Sequence, residues 1–209
     1  MNRPERVVLE GRHVKIVPLD AATHAEALYA GSRDPELWRY LFNGPYTEES
    51  AFRAWLESRE TSEDPLFFTI LEASGVPAGY CSLMRIEMAH RVIEVGNILY
   101  LPCLQRTAGA TEAMYLVARY VFEKLEYRRY EWKCDSLNAP SRRAALRLGF
   151  TFEGIFRQHM MVKGKNRDTA WYSMLDAEWP DRKRAFEKWL DPANFDAAGN
   201  QKTSLTEMV

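Results

Sequence analysis

The chain has 209 residues, 46% of them hydrophobic, and its 28 basic and 29 acidic side chains leave a formal net charge of −1. That length carries one substantial core, and that apolar share belongs to a globular rather than a disordered chain. A charge this close to zero supplies no global field toward nucleic acid or an anionic membrane, so neither is an expected partner.

The opening MNRPERVVLEG holds no apolar core of leader length, and no run reaches membrane-spanning length. The three cysteines, Cys81, Cys103 and Cys134, are odd in number, widely spaced and without a metal-ligand pattern, and the four histidines lie apart. No metal is expected, and the natural compartment is a reducing cytoplasm.

In chain order, residues 7–18 contain two short β-like runs around Gly11. Asp20 is placed to cap a helix beginning ATHAEALYAGS, and Asp34-Pro35 and Thr47 mark two further helix starts. The periodicity then changes. Residues 66–71, 78–86 and 92–101 read as strands of an antiparallel meander with a turn at 73–77. Apolar residues at helical spacing run from Ala110 to Leu125. In 130–135, Tyr130, Trp132 and Cys134 alternate with Glu131, Lys133 and Asp135, as in a half-buried strand. A short helix starts at Asn138 and ends at Gly149. Strands at 150–162 and 169–175 flank a charged turn at 163–168, a helix follows from Trp179, and 191–209 reads as a loosely held tail. The order predicts an α+β fold: a single domain over 7–190, with a mixed, largely antiparallel central sheet flanked by helices.

The stretch around which the chain is organised is 94–113, EVGNILYLPCLQRTAGATEA. It passes from an apolar strand through a loop of small and polar residues into a helix. Free N–H groups and the positive dipole end at such a helix start suit a phosphate. A small-residue helix start packed tightly on a sheet has the same sequence, and both readings stand on the residues alone.

The order of three segments, Glu94-Val95-Gly96, then 105–113, then 138–150, resembles the GNAT superfamily of acyl-CoA-dependent N-acetyltransferases, in particular the branch containing the ribosomal-protein N-terminal acetyltransferases. The resemblance covers roughly residues 7–176. Thr111-Glu112-Ala113 sets the register of the family's loop, placing Gln105 first, Ala108 where a glycine is usual, and Ala110 last. A register starting at Arg106 recovers Gly109 instead. Either way the resemblance implies that amides of Arg106, Thr107, Ala108, Gly109 and Ala110 hold the CoA pyrophosphate. Asn138, Ser141 and Gly149-Phe150 reproduce the branch's N-x-x-S…GF spacing. By sequence alone Asn138 and Ser141 are plain helix-capping residues. The resemblance implies instead that Asn138 faces the pantetheine arm and that Ser141 protonates the departing thiolate, since the tyrosine many members use is Ala145 here.

The resemblance also implies that Glu94 is the base that takes a proton from the attacking amine. From Glu94 to Gln105 is eleven residues where ten is common, which calls for a bulge within 98–101. Strand amides of Leu99, Tyr100 and Leu101 are expected to polarise the thioester carbonyl. Tyr40, Phe42 and Tyr46 are expected to face the acceptor, in an entrance that is acidic or aromatic because an ammonium must enter it; Trp38 is expected in the core. Glu153-Gly154, Arg157 and Asn166-Arg167-Asp168 also match the branch's acceptor side. The implied activity is transfer of an acetyl group from acetyl-CoA to a primary amine, a protein N-terminus or a small amine, by a monomer or homodimer. A non-catalytic CoA-binding module on the same fold is the competing reading.

Overall fold

The computed structural model describes residues 2–209, and in them five α-helices flank one eight-stranded sheet. The first two strands, β1 (Leu9–Glu10) and β2 (Val14–Pro18), form the hairpin foreseen around Gly11. A Cβ at Gly11 would run into the carboxylate of Glu112, so only glycine lets that side chain approach the turn. Asp20 accepts from the Thr23 amide and caps α1 (Ala21–Gly31). Asp34 caps a single 3-10 turn, Pro35–Trp38, and the next helix, α2 (Glu49–Glu60), begins two residues later than Thr47 suggests.

Strands β3 (Leu66–Glu72), β4 (Pro77–Glu87) and β5 (Val92–Tyr100) form the expected antiparallel meander. Helix α3 (Ala108–Arg119) starts two residues before Ala110 because the Thr107 hydroxyl accepts from the Ala110 amide and caps it there. A π turn, Tyr120–Lys124, extends it toward β6 (Arg129–Asp135). Then come α4 (Ala139–Arg147), the hairpin of β7 (Thr151–Val162) and β8 (Lys165–Leu175), and α5 (Trp179–Leu190). Gly149 ends α4 with φ +87, a conformation L residues seldom adopt.

The strand order is β1-β2-β3-β4-β5-β6-β8-β7, antiparallel at each junction except the parallel β5–β6 pair. The central strands are buried on both faces, whereas the edge strand β7 is largely exposed. Phe67, Tyr80 and Leu99 point toward α1 and α2, with Leu28, Trp38, Phe52 and Leu56. Phe68, Cys81 and Val95 point the other way, toward α3 and α5, with Met114, Val117 and Phe186. The period-two alternation of β3, β4 and β5 separates these two sets.

Two expectations fail. The charged turn at 163–168 is only two residues long, because Lys163 and Gly164 both take positive φ, the conformation of a two-residue hairpin, and Val162 pairs directly with Lys165. The tail at 191–209 is docked: Leu205 is fully buried, and Asn194 Nδ2 donates to the carbonyls of Trp189 and Thr203, each at 3.1 Å.

Candidate active site

The site lies where β5 and β6 part. Their parallel pairing runs from Val92↔Arg129 to Val95↔Trp132 and stops, which leaves facing strand edges without ladder bonds beyond it. On the other side of β5 the register passes from Ser82↔Gly96 to Tyr80↔Leu99, so one extra β5 residue is inserted between Gly96 and Leu99, with Asn97 at φ +50. This bulge absorbs the long Glu94–Gln105 spacing and sits at 97–98, at the near end of the stretch foreseen. The opening it helps create is a cleft of about 140 Å³. Its walls are β5 and β6, the start of α4, Tyr40 and Phe42 from the segment between α1 and α2, Arg85 of β4 and Arg167 of β8.

Glu94 is on the same sheet face as Tyr80, by its register with Met84, but beyond the cover of α1 and α2. It is buried, and its two oxygens differ. Oε2 receives Lys133 Nζ at 2.9 Å and lies 3.3 Å from Arg85 Nε, whereas Oε1 accepts no bond from the described residues. Burial raises its pKa above the ordinary carboxylate value, and Lys133 and Arg85 oppose that rise. Lys133 itself is enclosed. Its ammonium also lies 2.6 Å from Glu131 Oε2 and 3.9 Å from the centre of the Trp171 ring, so each direction open to it is filled. Arg129 continues the array from Glu131 to Glu153. The polar side of the 130–135 alternation, read from sequence as half-solvated, is thus a buried ladder of ion pairs at Glu131 and Lys133. The opposite charges two residues apart were the signal for it, and Glu94 on the neighbouring strand completes it.

Asn138 and Ser141 open into the same cleft as Glu94. Asn138 Oδ1 accepts from the Ser141 amide at 3.1 Å, which is the capping role the residues alone suggest. Ser141 Oγ accepts from the indole N–H of Trp132 at 3.0 Å, and its own O–H is turned to the Cys134 sulfur at the cleft wall. Cys134 also lines the cleft, and burial pushes its thiol pKa up, so it rests as the neutral thiol.

At the loop before α3, the amides of Gln105 and Thr107 donate to the carbonyls of Leu101 and Leu104, and the Ala110 amide is taken by Thr107. The amides of Arg106, Ala108 and Gly109 have no such partner among the described residues. Arg106, at φ +62, is the left-handed position of the loop, so Ala108 needs no glycine. Gly109 is small for a packing reason: a Cβ there would come 2.9 Å from Val14 Cγ1. The Gln105 side chain turns back to the Tyr100 carbonyl. Glu112, used in the sequence to set the register, is a structural clamp whose carboxylate accepts the amides of Arg12, His13 and Val14 at 2.6–2.9 Å.

Three expected site residues need correction. The Leu101 amide donates to the Ala78 carbonyl at 2.9 Å and is not free to polarise a ligand. Strand alternation pairs Leu99 toward β4 in the same way and turns the Tyr100 amide to the opposite edge, where β6 has parted. Tyr46 is a core residue, edge-on to Trp38 at 5.3 Å and packed on Phe52 and Trp55, and it does not reach the cleft; Trp38 is buried as expected. Nor is the entrance acidic. Asp34, Glu48 and Glu49 lie outside it, and the charged residues lining it are Arg85, Lys133 and Arg167 against Glu94 and Asp135. Among the described residues no three His, Cys, Asp or Glu side chains converge as a metal site would require, and no helix is long and apolar enough to cross a membrane.

Residues 13–151 match the acetyltransferase (GNAT) domain family. A solved GCN5-related N-acetyltransferase from Brucella melitensis is 51% identical with a TM-score of 0.97, over 99% of this chain and 96% of that one. The Bacillus subtilis protein named "Uncharacterized N-acetyltransferase YnaD" is 25% identical over 154 residues, 74% of this chain and 89% of its own. Another from that organism, named "Putative ribosomal N-acetyltransferase YdaF", is 30% identical over 109 residues, 52% of this chain and 59% of its own. With the parted strands, the cleft between them and the helix start beside it, these matches show that the chain is an N-acetyltransferase belonging to the GNAT family.

Proposed function

We propose that this enzyme moves the acetyl group of acetyl-CoA to a primary amine, a small amine or a protein N-terminus, by direct attack without an acyl-enzyme. The observation that carries the reading is that one unbonded carboxylate oxygen, Glu94 Oε1, and one hydroxyl whose oxygen is held by Trp132, that of Ser141, open into a single cleft.

The chain's own groups divide the work. The free amides of Arg106, Ala108 and Gly109, at the positive end of α3, are suited to a pyrophosphate. Glu94 takes the proton of the entering ammonium on Oε1, because only the neutral amine is a nucleophile. The amine nitrogen then bonds to the thioester carbonyl carbon while the Tyr100 amide, on the free edge of β5, stabilises the charge on its oxygen. The carbon–sulfur bond breaks, the thiolate takes the proton of Ser141, and the second proton leaving the amide nitrogen restores the serine hydroxyl through solvent, while Glu94 releases the first to solvent. Holding the two reactants at the parted strands supplies much of the rate. Three unpaired cysteines support a reducing, cytoplasmic setting.

The test is thiol release from acetyl-CoA across a panel of primary amines and N-terminal peptides, with acetylated product identified by mass. Amine-dependent release that falls sharply in Glu94→Gln is expected. Acetyl-CoA binding without acetylation of any amine would overturn the reading.

A further inference from the structure

Arg167 of β8 is a buried cation whose outer nitrogens have no hydrogen-bond or ion-pair counterpart among the described residues. The residue is 7% exposed and lines the cleft. Its Nε donates to Thr169 Oγ1 at 3.2 Å, and Phe42 lies against the guanidinium with its ring centre 5.0 Å from Cζ. Nη1 and Nη2 donate to no protein acceptor, and no carboxylate comes within 4.0 Å of the group among the described residues. Burial without a partner depresses its pKa below that of an ordinary arginine. A guanidinium so placed is costly to leave unpaired. With Nε occupied by Thr169, the edge left open is the Nη1/Nη2 fork, whose two parallel donors match the two oxygens of a carboxylate.

The other charges around the cleft are better placed. Lys133 is taken by Glu94 and Glu131, Arg85, about a third exposed, places Nε on Glu94 and keeps its outer nitrogens toward solvent, and Asp135, whose Oδ1 accepts from the Leu137 amide, favours the charged form of Arg167 from beyond ion-pair distance. Of the groups left without a partner, the two that are buried are the anionic oxygen Glu94 Oε1 and the cationic fork of Arg167, a pair that complements a molecule carrying both an ammonium and a carboxylate.

We infer that the acceptor amine carries a carboxylate and that Arg167 receives it. This rests on the amine-acetylation reading above and names its substrate class. The carboxylate has two possible sources, the α-carboxylate of a free amino acid or an acidic side chain beside a peptide N-terminus.

Matched acceptors test the inference: glycine and alanine against their amides, and short peptides with Asp against Asn at the second position. Wild type should prefer the carboxylate member of one set by roughly 10²-fold in kcat/KM, the scale of a desolvated charge pair. Preference for the free amino acids identifies the α-carboxylate, and preference for the Asp peptides identifies the side chain. Arg167→Gln should abolish that preference through the acceptor KM while acetyl-CoA KM holds, and Arg167→Lys, which keeps the charge if the neutral variant fails to fold, should retain part of it. Equal use of acids and amides by wild type, or equal loss of both in Arg167→Lys, would overturn the inference. A binding arm separates its failure from that of the parent reading. Calorimetry compares N-acetylglycine with N-acetylglycinamide, and the N-acetyl amide of aspartate with that of asparagine. If no amine is acetylated but a carboxylate probe binds wild type and not the variant, the anion site stands and the transfer reading falls; no preference for either carboxylate probe overturns the site.

Discussion

Glu94 and Lys133, on the two strands that part at the cleft, form an ion pair with Nζ 2.9 Å from Oε2 and side chains only 5% and 4% exposed. The pair fixes one carboxylate oxygen and leaves the other to the cleft, and the ammonium opposes the rise that burial imposes on the carboxyl pKa. Removing the cation leaves two buried carboxylates sharing a net negative charge, Glu94 with Arg85 alone and Glu131 with Arg129 alone. Lys133→Met should therefore cost about 3–5 kcal/mol in urea unfolding. In the fraction that folds, the acid limb of the kcat/KM profile should move to higher pH, because the charge that opposed desolvation of Glu94 is gone.

The pH dependence of Glu94 has two opposite signs. Its folded pKa is raised above the ordinary 4.5, chiefly by burial, so the stability it contributes is complete below that value and is lost as pH rises through the folded one. Activity moves the other way, since only the ionised carboxylate accepts a proton. Glu94→Gln should lower kcat by roughly 10²–10⁴-fold and flatten the acid limb, with acetyl-CoA affinity nearly unchanged. Ser141→Ala should cost less, because water can protonate a thiolate. A Glu94→Gln enzyme fully active from pH 6 to 9 would remove the residue from the chemistry.

Glu112 is predicted to be a stability residue rather than a ligand contact. Its carboxylate holds three consecutive hairpin amides. Glu112→Ala should destabilise the protein by about 3 kcal/mol, and hydrogen exchange at Arg12, His13 and Val14 should accelerate more than elsewhere in the sheet.

At the helix start, Ala110→Glu is the informative change. Ala110 is half-buried at the first turn of α3, so a carboxylate there places negative charge beside the free amides. Acetyl-CoA binding by calorimetry should weaken at least about tenfold, since charge and bulk both oppose a pyrophosphate. Gly109→Glu is a poorer test: its Cβ alone would collide with Val14, and loss of folding would obscure loss of binding.

Phe42 and Tyr46, four residues apart, should separate in their effects. Tyr46→Ala opens the aromatic cluster of Trp38, Phe52 and Trp55 and should cost about 3 kcal/mol with little change in acceptor KM. Phe42, 44% exposed and set against Arg167, should give the reverse: Phe42→Ala near neutral in stability and raised in acceptor KM.

From sequence alone, the element order, the meander, the Asp20, Asp34 and Asn138 caps and the strand–loop–helix at 94–113 were all legible, because capping chemistry and hydrophobic period are local properties of the chain. The family was legible for a related reason, since its motifs are short runs at fixed spacing. The tertiary structure alone decided which charges share the cleft. Glu94, Lys133 and Arg167 stand on three strands, β5, β6 and β8, whereas in sequence Lys133 is the polar side of a half-buried strand, Arg167 falls in a charged turn read at 163–168, and only the family resemblance singles out Glu94. Their meeting depends on the β5 bulge and on the parting of β5 from β6, and both are properties of strand register rather than of any one segment. Tyr46 in the core and the Leu101 amide on Ala78 fall in the same class: a side chain's or an amide's direction is set by the partner element that packs or pairs with it.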